Sequence, residues 1–204
     1  MRIVTANELQ DWLRQGELLE KDSRGPKVVH LANGQLLKIF YSRRLPWLDR
    51  LLPDAKRFAR HAQRLQALGI RTPEILECCW IDRHQAVSAC LYQPLAGTAL
   101  DKVYGQSRAA FDAQLPALAA YIHHLHQRGI YFRSLHLGNI LCTPEQGFGL
   151  IDFLDIRFKG RPLSRTLIRR NFNHLQNYLQ RRRVVDFPWD QLLRCYSAAG
   201  GTYP

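Results

Sequence analysis

The chain has 204 residues, 46% of them hydrophobic, enough for a real core in one domain or in two small lobes. Its 29 Lys and Arg against 17 Asp and Glu leave a formal charge of +12, which calls for an anionic partner: nucleic acid, an anionic lipid surface or a phosphorylated glycolipid. No run approaches the roughly eighteen consecutive apolar residues of a membrane span, and the amino terminus shows no apolar stretch ahead of a cleavage site, so neither spanning nor secretion is supported.

In chain order, Asn7 to about residue 15 has a polar start and apolar residues at helical spacing, which predicts a short amphipathic helix packed as a lid. Strand-like segments follow at Leu18 to Lys21, Lys27 to Leu31 and Gln35 to Tyr41. Turn residues separate them at 22–26 and at Asn33-Gly34, a dipeptide that favours tight hairpins. Lys38 lies inside the apolar run Leu36 to Phe40, where a cation needs an anionic partner unless it sits on an edge strand facing water. Residues 43–53 read as loop, and Asp54 to Leu68 as an amphipathic helix ended by Gly69. Glu74 to Ile81 and Gln85 to Leu91 complete a five-stranded antiparallel sheet, which the chain leaves through Tyr92-Gln93-Pro94-Leu95-Ala96-Gly97.

The second half reads as mainly helical. Ala109 to Arg128 carries Leu115, Leu118, Ala119, Ile122 and Leu125 on one stripe, with Gly129 as its stop. His123, His124 and His126 are expected at the surface or between lobes, because i and i+1 point apart and no Cys or Glu joins them at ligand spacing. Two last helices are predicted over Ser164 to Gln180 and Asp186 to Ala199. Arg165, Arg169, Arg170 and Arg181 to Arg183, with Tyr178, Phe187 and Trp189, make a basic and aromatic cluster suited to an anionic leaflet or a phosphosugar, or else a solvated face. Five cysteines, odd in number and without Cys-x-x-Cys spacing, read as buried free thiols of a reducing cytoplasm. No zinc finger, RNP-type or helix-turn-helix signature is present, which ranks nucleic acid last among the anionic partners.

Most of the unusual residues fall in Tyr131 to Asp155. Leu135 to Cys142 ends as a short strand, Pro144 to Gly147 supply turn chemistry, and Phe148 to Ile151 form a second strand stopping at Asp152, a hairpin that delivers Asn139 and Asp152 to one end. An amide oxygen and a carboxylate are hard-oxygen ligands suited to Mg²⁺ carrying nucleotide phosphates. The stretch resembles the catalytic loop and metal motif of the protein kinase-like fold, His-Arg-Asp-Leu-x-x-x-Asn followed by Asp-Phe-Gly. Phe132-Arg133-Ser134-Leu135 stands at His-Arg-Asp-Leu, Asn139 at the metal-binding Asn, and Asp152-Phe153-Leu154 at Asp-Phe-Gly. Ser134 replaces the proton-accepting Asp. Within that superfamily, Arg133-Ser134-Leu135-His136-Leu137-Gly138-Asn139-Ile140-Leu141 is similar to the lipopolysaccharide kinases of Gram-negative bacteria, the Kdo and heptose kinase group.

The resemblance implies an α+β, protein kinase-like chain: an amino lobe over 1–92 with a five-stranded sheet and one helix, a hinge over 93–98, and a trimmed helical lobe over 99–204. It implies ATP and Mg²⁺ as cofactors, with Asn139 and Asp152 on the metal, Lys38 on the phosphates, Gly25 in the nucleotide-covering turn, and the backbone of Gln93 and Leu95 facing adenine. Arg133 or His136 would supply charge near the transferring group, and His136 or Asp155 would take the proton that Ser134 cannot. The helix over 54–68 lacks the central Glu that would hold Lys38; Phe58, Arg60 and His61 stand there. Two functions follow. One is an ATP-dependent phosphotransferase acting on a sugar hydroxyl of the lipid A-core at the cytoplasmic membrane face. The other is a pseudokinase that binds and scaffolds without transfer. The segment after Asp155, Ile156 to Pro162, is too short for a regulated activation loop, which favours constitutive action.

Overall fold

The computed structural model describes residues 1–42, 46–145 and 147–203, and nothing is stated for the side chains of Pro46 and Leu48. The chain divides into two compact units, one of 1–67 and 72–95, the other of 68–71 and 96–204.

The first unit opens with helix α1 (Ala6–Gln15), started by Thr5, whose hydroxyl accepts from the Glu8 N–H at 3.2 Å. Its apolar face, Leu9 and Trp12, packs against a core that includes Val29, Leu37, Ile39 and Ala89, so the helix covers one face of the sheet. Strands β1 (Glu17–Asp22), β2 (Gly25–His30), β3 (Leu36–Phe40), β4 (Glu74–Asp82) and β5 (Val87–Gln93) form an antiparallel sheet in the order β1-β2-β3-β5-β4. The Asn33-Gly34 signal is realised: Gly34 adopts φ +81°, a conformation that suits glycine, and the Asn33 side chain accepts from the Gln35 N–H at 3.1 Å.

On the unit's helical side, α3 (Asp54–Ala67) buries Ala55, Phe58, Ala62 and Leu65. The Phe58 ring lies 5.5 Å from Phe40 and 6.2 Å from Tyr92, and burial of such a side chain is worth about 1.5–3 kcal/mol. Residues 46–51, expected as loop, form helix α2 (Pro46–Leu51). A proline in the first turn needs no amide partner, which makes the segment compatible with a helix. Residues 43–45 of that expected loop lie outside the described residues. The cysteines are free, but only Cys79 and Cys90 are buried; Cys78, Cys142 and Cys195 are half-buried, which corrects the expectation for those three.

The second unit contains β6 (Thr98–Ala99), α4 (Leu100–Gln106), α5 (Arg108–Gln127), β7 (Ile130–Phe132), a 3-10 turn (Leu137–Asn139), β8 (Ile140–Thr143), β9 (Gly147–Leu150), β10 (Ile156–Phe158), α6 (Arg165–Arg181) and α7 (Trp189–Ala198). The predicted hairpin is β8 paired with β9, extended by β6; Gln146 in its turn lies outside the described residues. Residues 156–158, the start of the short segment after Asp155, pair with β7. Residues 68–71 belong to this unit: Ile70 is buried, the Arg71 carbonyl accepts from the Leu150 N–H at 2.9 Å, and the Arg71 guanidinium reaches Thr143 at 2.8 Å and Glu145 at 3.2 Å.

His126 is not at the surface. It follows Ile122 by one helical turn and is 1% exposed, inside a chain of bonds across three helices. Tyr196 of α7 lies 2.7 Å from its Nδ1, and its Nε2 lies 3.1 Å from Asn171 Oδ1 on α6. Asn171 Nδ2 in turn donates to the Phe132 carbonyl. Because the Asn171 amide nitrogen donates to Phe132, its oxygen is the acceptor, which puts the imidazole proton on Nε2 and makes Nδ1 the acceptor of the Tyr196 hydroxyl. Every polar atom of the chain is used, and burial depresses the His126 pKa to about 4, so the ring is neutral.

Candidate active site

The chemistry-bearing loop runs between β7 and β8, and the buried chain just described holds its start. Phe132, whose carbonyl Asn171 grips, precedes Arg133 and Ser134, and the same carbonyl accepts from the Leu135 N–H at 3.2 Å. Leu135 and Leu137 are buried, so the intervening polar residues are fixed by apolar anchors on alternate positions. Arg133 is exposed.

Ser134, in place of the expected Asp, does not leave its position without a carboxylate. Its hydroxyl donates to Asp155 Oδ2 at 2.7 Å. Asp155 is delivered by the pairing of β10 with β7, the element that the sequence did not reveal. Burial raises the Asp155 pKa; the Ser134 bond and Arg133 oppose that, and Asp152 adds to it. Its Oδ1 is buried without a hydrogen-bond partner. A carboxylate of this kind is a stronger base than an exposed one and holds its proton to higher pH.

Asn139 is 7% exposed, its amide nitrogen donating to the Ser134 carbonyl at 3.1 Å and lying 3.1 Å from His136 Nε2. Its backbone carbonyl accepts from the Ile151 N–H at 3.0 Å, tying the loop to the residue before Asp152. Asp152 is exposed and adopts φ +50°, a left-handed conformation that Asp tolerates better than most residues and that turns the chain sharply at the strand end. The fully buried Phe153 follows it.

His136 stacks on Tyr178 of α6 with centroids 4.3 Å apart and planes 6° from parallel. Its Nε2 accepts from Asn139, so the ring proton is on Nδ1, a buried atom with no partner. Burial lowers its pKa, partly offset by Asp152 and Asp101, and the ring is neutral near pH 7. Of the two candidates for positive charge near the transferring group, Arg133 or His136, this leaves the exposed Arg133.

The structure therefore brings Ser134, His136, Asn139 and Asp155 together by direct bonds. It places Lys38, Gly25, Gln93 and Leu95 in the first unit. Lys38 Nζ lies 5.6 Å from the centre of the Phe58 ring. Gly25, φ +131°, closes a tight β1–β2 turn in which Asp22 already accepts the Arg24 N–H at 2.8 Å. Asp101 of α4 was missed by the sequence reading. Tyr178 donates to its Oδ2 at 3.3 Å, its Oδ1 is buried and unpartnered, and a Cβ at Gly138 would come within 2.9 Å of Oδ2. The glycine inside the loop was the available signal, since it admits a neighbour that any side chain would push away.

Comparison with known proteins identifies the family and a similar fold. The family model described as "Lipopolysaccharide kinase (Kdo/WaaP) family" matches residues 10–196. Among solved structures the chain is similar to the crystal structure of WbdD, with a TM-score of 0.52 at 14% identity, covering 85% of this chain and 42% of that one. The chain thus spans less than half the length of that protein, and the likeness concerns the fold. No curated protein matches.

Proposed function

The chain belongs to the lipopolysaccharide kinase (Kdo/WaaP) family, and from that membership we propose that it transfers the γ-phosphoryl group of ATP to a hydroxyl of a lipopolysaccharide core sugar. The observation that carries this reading is the 2.7 Å bond from Ser134 to Asp155, which supplies a carboxylate where this chain has a serine in place of the kinase pattern's Asp. In the reaction the sugar O–H bond breaks as its oxygen bonds the γ-phosphorus, and the bond from that phosphorus to the ADP oxygen breaks. The sugar proton passes to Ser134 Oγ while the Ser134 proton moves to Asp155 Oδ2. Such transition states are loose and depend mainly on charge and position, with a base adding roughly 10²- to 10⁴-fold.

The residues fit a divalent cation of the Mg²⁺ kind: one exposed carboxylate, Asp152, beside an amide, Asn139, whose nitrogen is turned into the protein. When bound, such an ion neutralises charge on the phosphates. Lys38 is the proposed phosphate contact of the first unit, and Gly25, Gln93 and Leu95 its proposed nucleotide contacts. The exposed Arg165, Arg169 and Arg170 on α6 support peripheral attachment to an anionic leaflet on the cytoplasmic face. Among the described residues no helix is long and apolar enough to cross a membrane.

The test is transfer of label from γ-³²P-ATP to core oligosaccharide. Asp155→Ser should lower it about 10²- to 10⁴-fold, and Ser134→Asp combined with Asp155→Ser should restore it by moving the carboxylate to the other end of the same bond. Activity that ignores both positions would overturn the reading. A pseudokinase reading is favoured by one observation, the lack of a central Glu in the helix over 54–68, where Phe58, Arg60 and His61 stand. It predicts a Mg·ATP-dependent rise in stability, about 2.7 kcal/mol at 100 times Kd, with no transfer.

A further inference from the structure

The second unit holds a cavity of about 230 Å³ lined by Asp101, Lys102 and Tyr104 of α4, Leu137 of the 3-10 turn, and Tyr178 and Arg182 at the end of α6. Pockets for drug-sized molecules run to roughly 300–1,000 Å³, so this one has room for a single ring and not for a nucleotide. Its lining combines two cations with one carboxylate and an apolar wall. The carboxylate is poorly satisfied: Asp101 Oδ1 is buried without a donor, and Oδ2 receives only the long 3.3 Å bond from Tyr178. A carboxylate left this way gains from any hydroxyl that reaches it. The Tyr178 ring is already engaged, by His136 in a parallel stack and by the Arg182 guanidinium 5.7 Å from its centre, so recognition falls to hydrogen bonds and charge rather than to ring stacking.

The cavity adjoins the catalytic loop. Leu137 and Gly138 lie between Ser134 and Asn139, and a Cβ at Gly138 would stand 2.9 Å from Asp101 Oδ2 and 3.5 Å from His136 Nδ1. The absence of a side chain there leaves room for the under-bonded carboxylate and the unpartnered imidazole N–H beside the same backbone position. A sugar hydroxyl, both donor and acceptor, matches such a pair.

We propose that this cavity is the acceptor subsite, taking one sugar unit that bears a carboxylate or a phosphate. Asp101 accepts from its hydroxyls, Lys102 and Arg182 hold the anionic group, and Leu137 and Tyr104 meet the C–H face of the ring. The assignment rests on the phosphotransferase reading, because it gives the cavity the acceptor rather than an effector.

Saturation-transfer NMR on the Asp152→Ala protein, which needs no turnover, tests it with glucuronate, glucose 6-phosphate, glucose and inorganic phosphate as probes. At least one of the two anionic sugars should bind about tenfold more tightly than glucose. A preference for glucuronate marks the carboxylate and a preference for glucose 6-phosphate the phosphate; both support the subsite. Asp101→Asn should weaken that binding about fivefold or more, and so should Lys102→Ala, whose exposed side chain is removed without disturbing a core. Inorganic phosphate bound as tightly as either sugar, no binding by any probe, or affinities indifferent to both substitutions would overturn it. If the sugars bind with this dependence but labelled ATP transfers nothing, the subsite stands and the transfer reading falls. If transfer proceeds with an acceptor KM that ignores residues 101 and 102, the transfer reading stands and the subsite falls.

Discussion

Two buried polar regions of the second unit differ in how completely they are paired. Around His126, the chain from Tyr196 through the imidazole and Asn171 to the Phe132 carbonyl leaves no side-chain nitrogen or oxygen without a partner. Around the loop, His136, Asp101 and Asp155 each keep one buried atom without a partner. These are three of the five such atoms among the described residues. Both regions hold a neutral histidine within hydrogen-bond reach of an asparagine, so composition does not separate them. Completeness does. A saturated network stiffens the scaffold, while a partly satisfied one keeps interaction free energy for a ligand, at a standing cost in stability.

That contrast can be broken or sharpened by substitution. The largest expected effect is on the unsaturated side: Asp155→Asn should lower kcat by about 10²- to 10⁴-fold while leaving the melting temperature unchanged or raised, because it removes a buried charge. A large loss of stability would mean that Asp155 is scaffold. On the saturated side, Asn171→Ala strands the His126 N–H and removes one of the two donors to the Phe132 carbonyl, and should cost about 2–4 kcal/mol, read from the urea midpoint.

Acid should act on the same chain. The folded pKa of His126, about 4, lies below the ordinary value of 6.5, so the folded state binds fewer protons in that window. Its contribution of about 3 kcal/mol is present above pH 6.5 and is lost as pH falls through 4. His126→Gln should flatten that slope of stability against pH. Asp155 has the opposite sign: its folded pKa is raised, so stability attributable to it falls as pH rises from the ordinary carboxylate value to the raised one. The smallest effect belongs to a network that is fully paired but exposed. Arg2 bridges Glu8 and Glu77, both at 2.6 Å, and Arg2→Ala should cost no more than about 1 kcal/mol, less in high salt. A larger loss would show that pairing matters regardless of burial.

Much of this organisation is legible in the chain itself. Asn33-Gly34 fixes a hairpin because few dipeptides reach positive φ, and α3 follows from apolar spacing ended by Gly69. The misplacement of His126 was avoidable: it lies four residues beyond Ile122, on the stripe that Leu115 and Leu118 define. Other features depend on tertiary pairing. Strand β10 has three residues, too few for periodicity, so the Ser134–Asp155 bond across 21 positions shows only once that strand is paired. Asp101 has no local motif, and its place beside Gly138 arises from packing of α4 against the 3-10 turn. Helix α2 was hidden because Pro46 and Pro53 bracket it, and proline marks turns as often as helix starts.

The assignment of residues 68–71 to the helical unit governs where the chain tolerates a cut. A fragment that begins at Ala96 would keep every helix of that unit yet lose Ile70 from its interior and the carbonyl that receives the Leu150 amide. Strand β9 leads directly to Asp152, so such a truncation would loosen the very segment that carries the exposed carboxylate. Expression of the carboxyl-terminal half by itself should give a protein whose β9 amides exchange rapidly with solvent, and supplying 68–71 in the same chain should slow them.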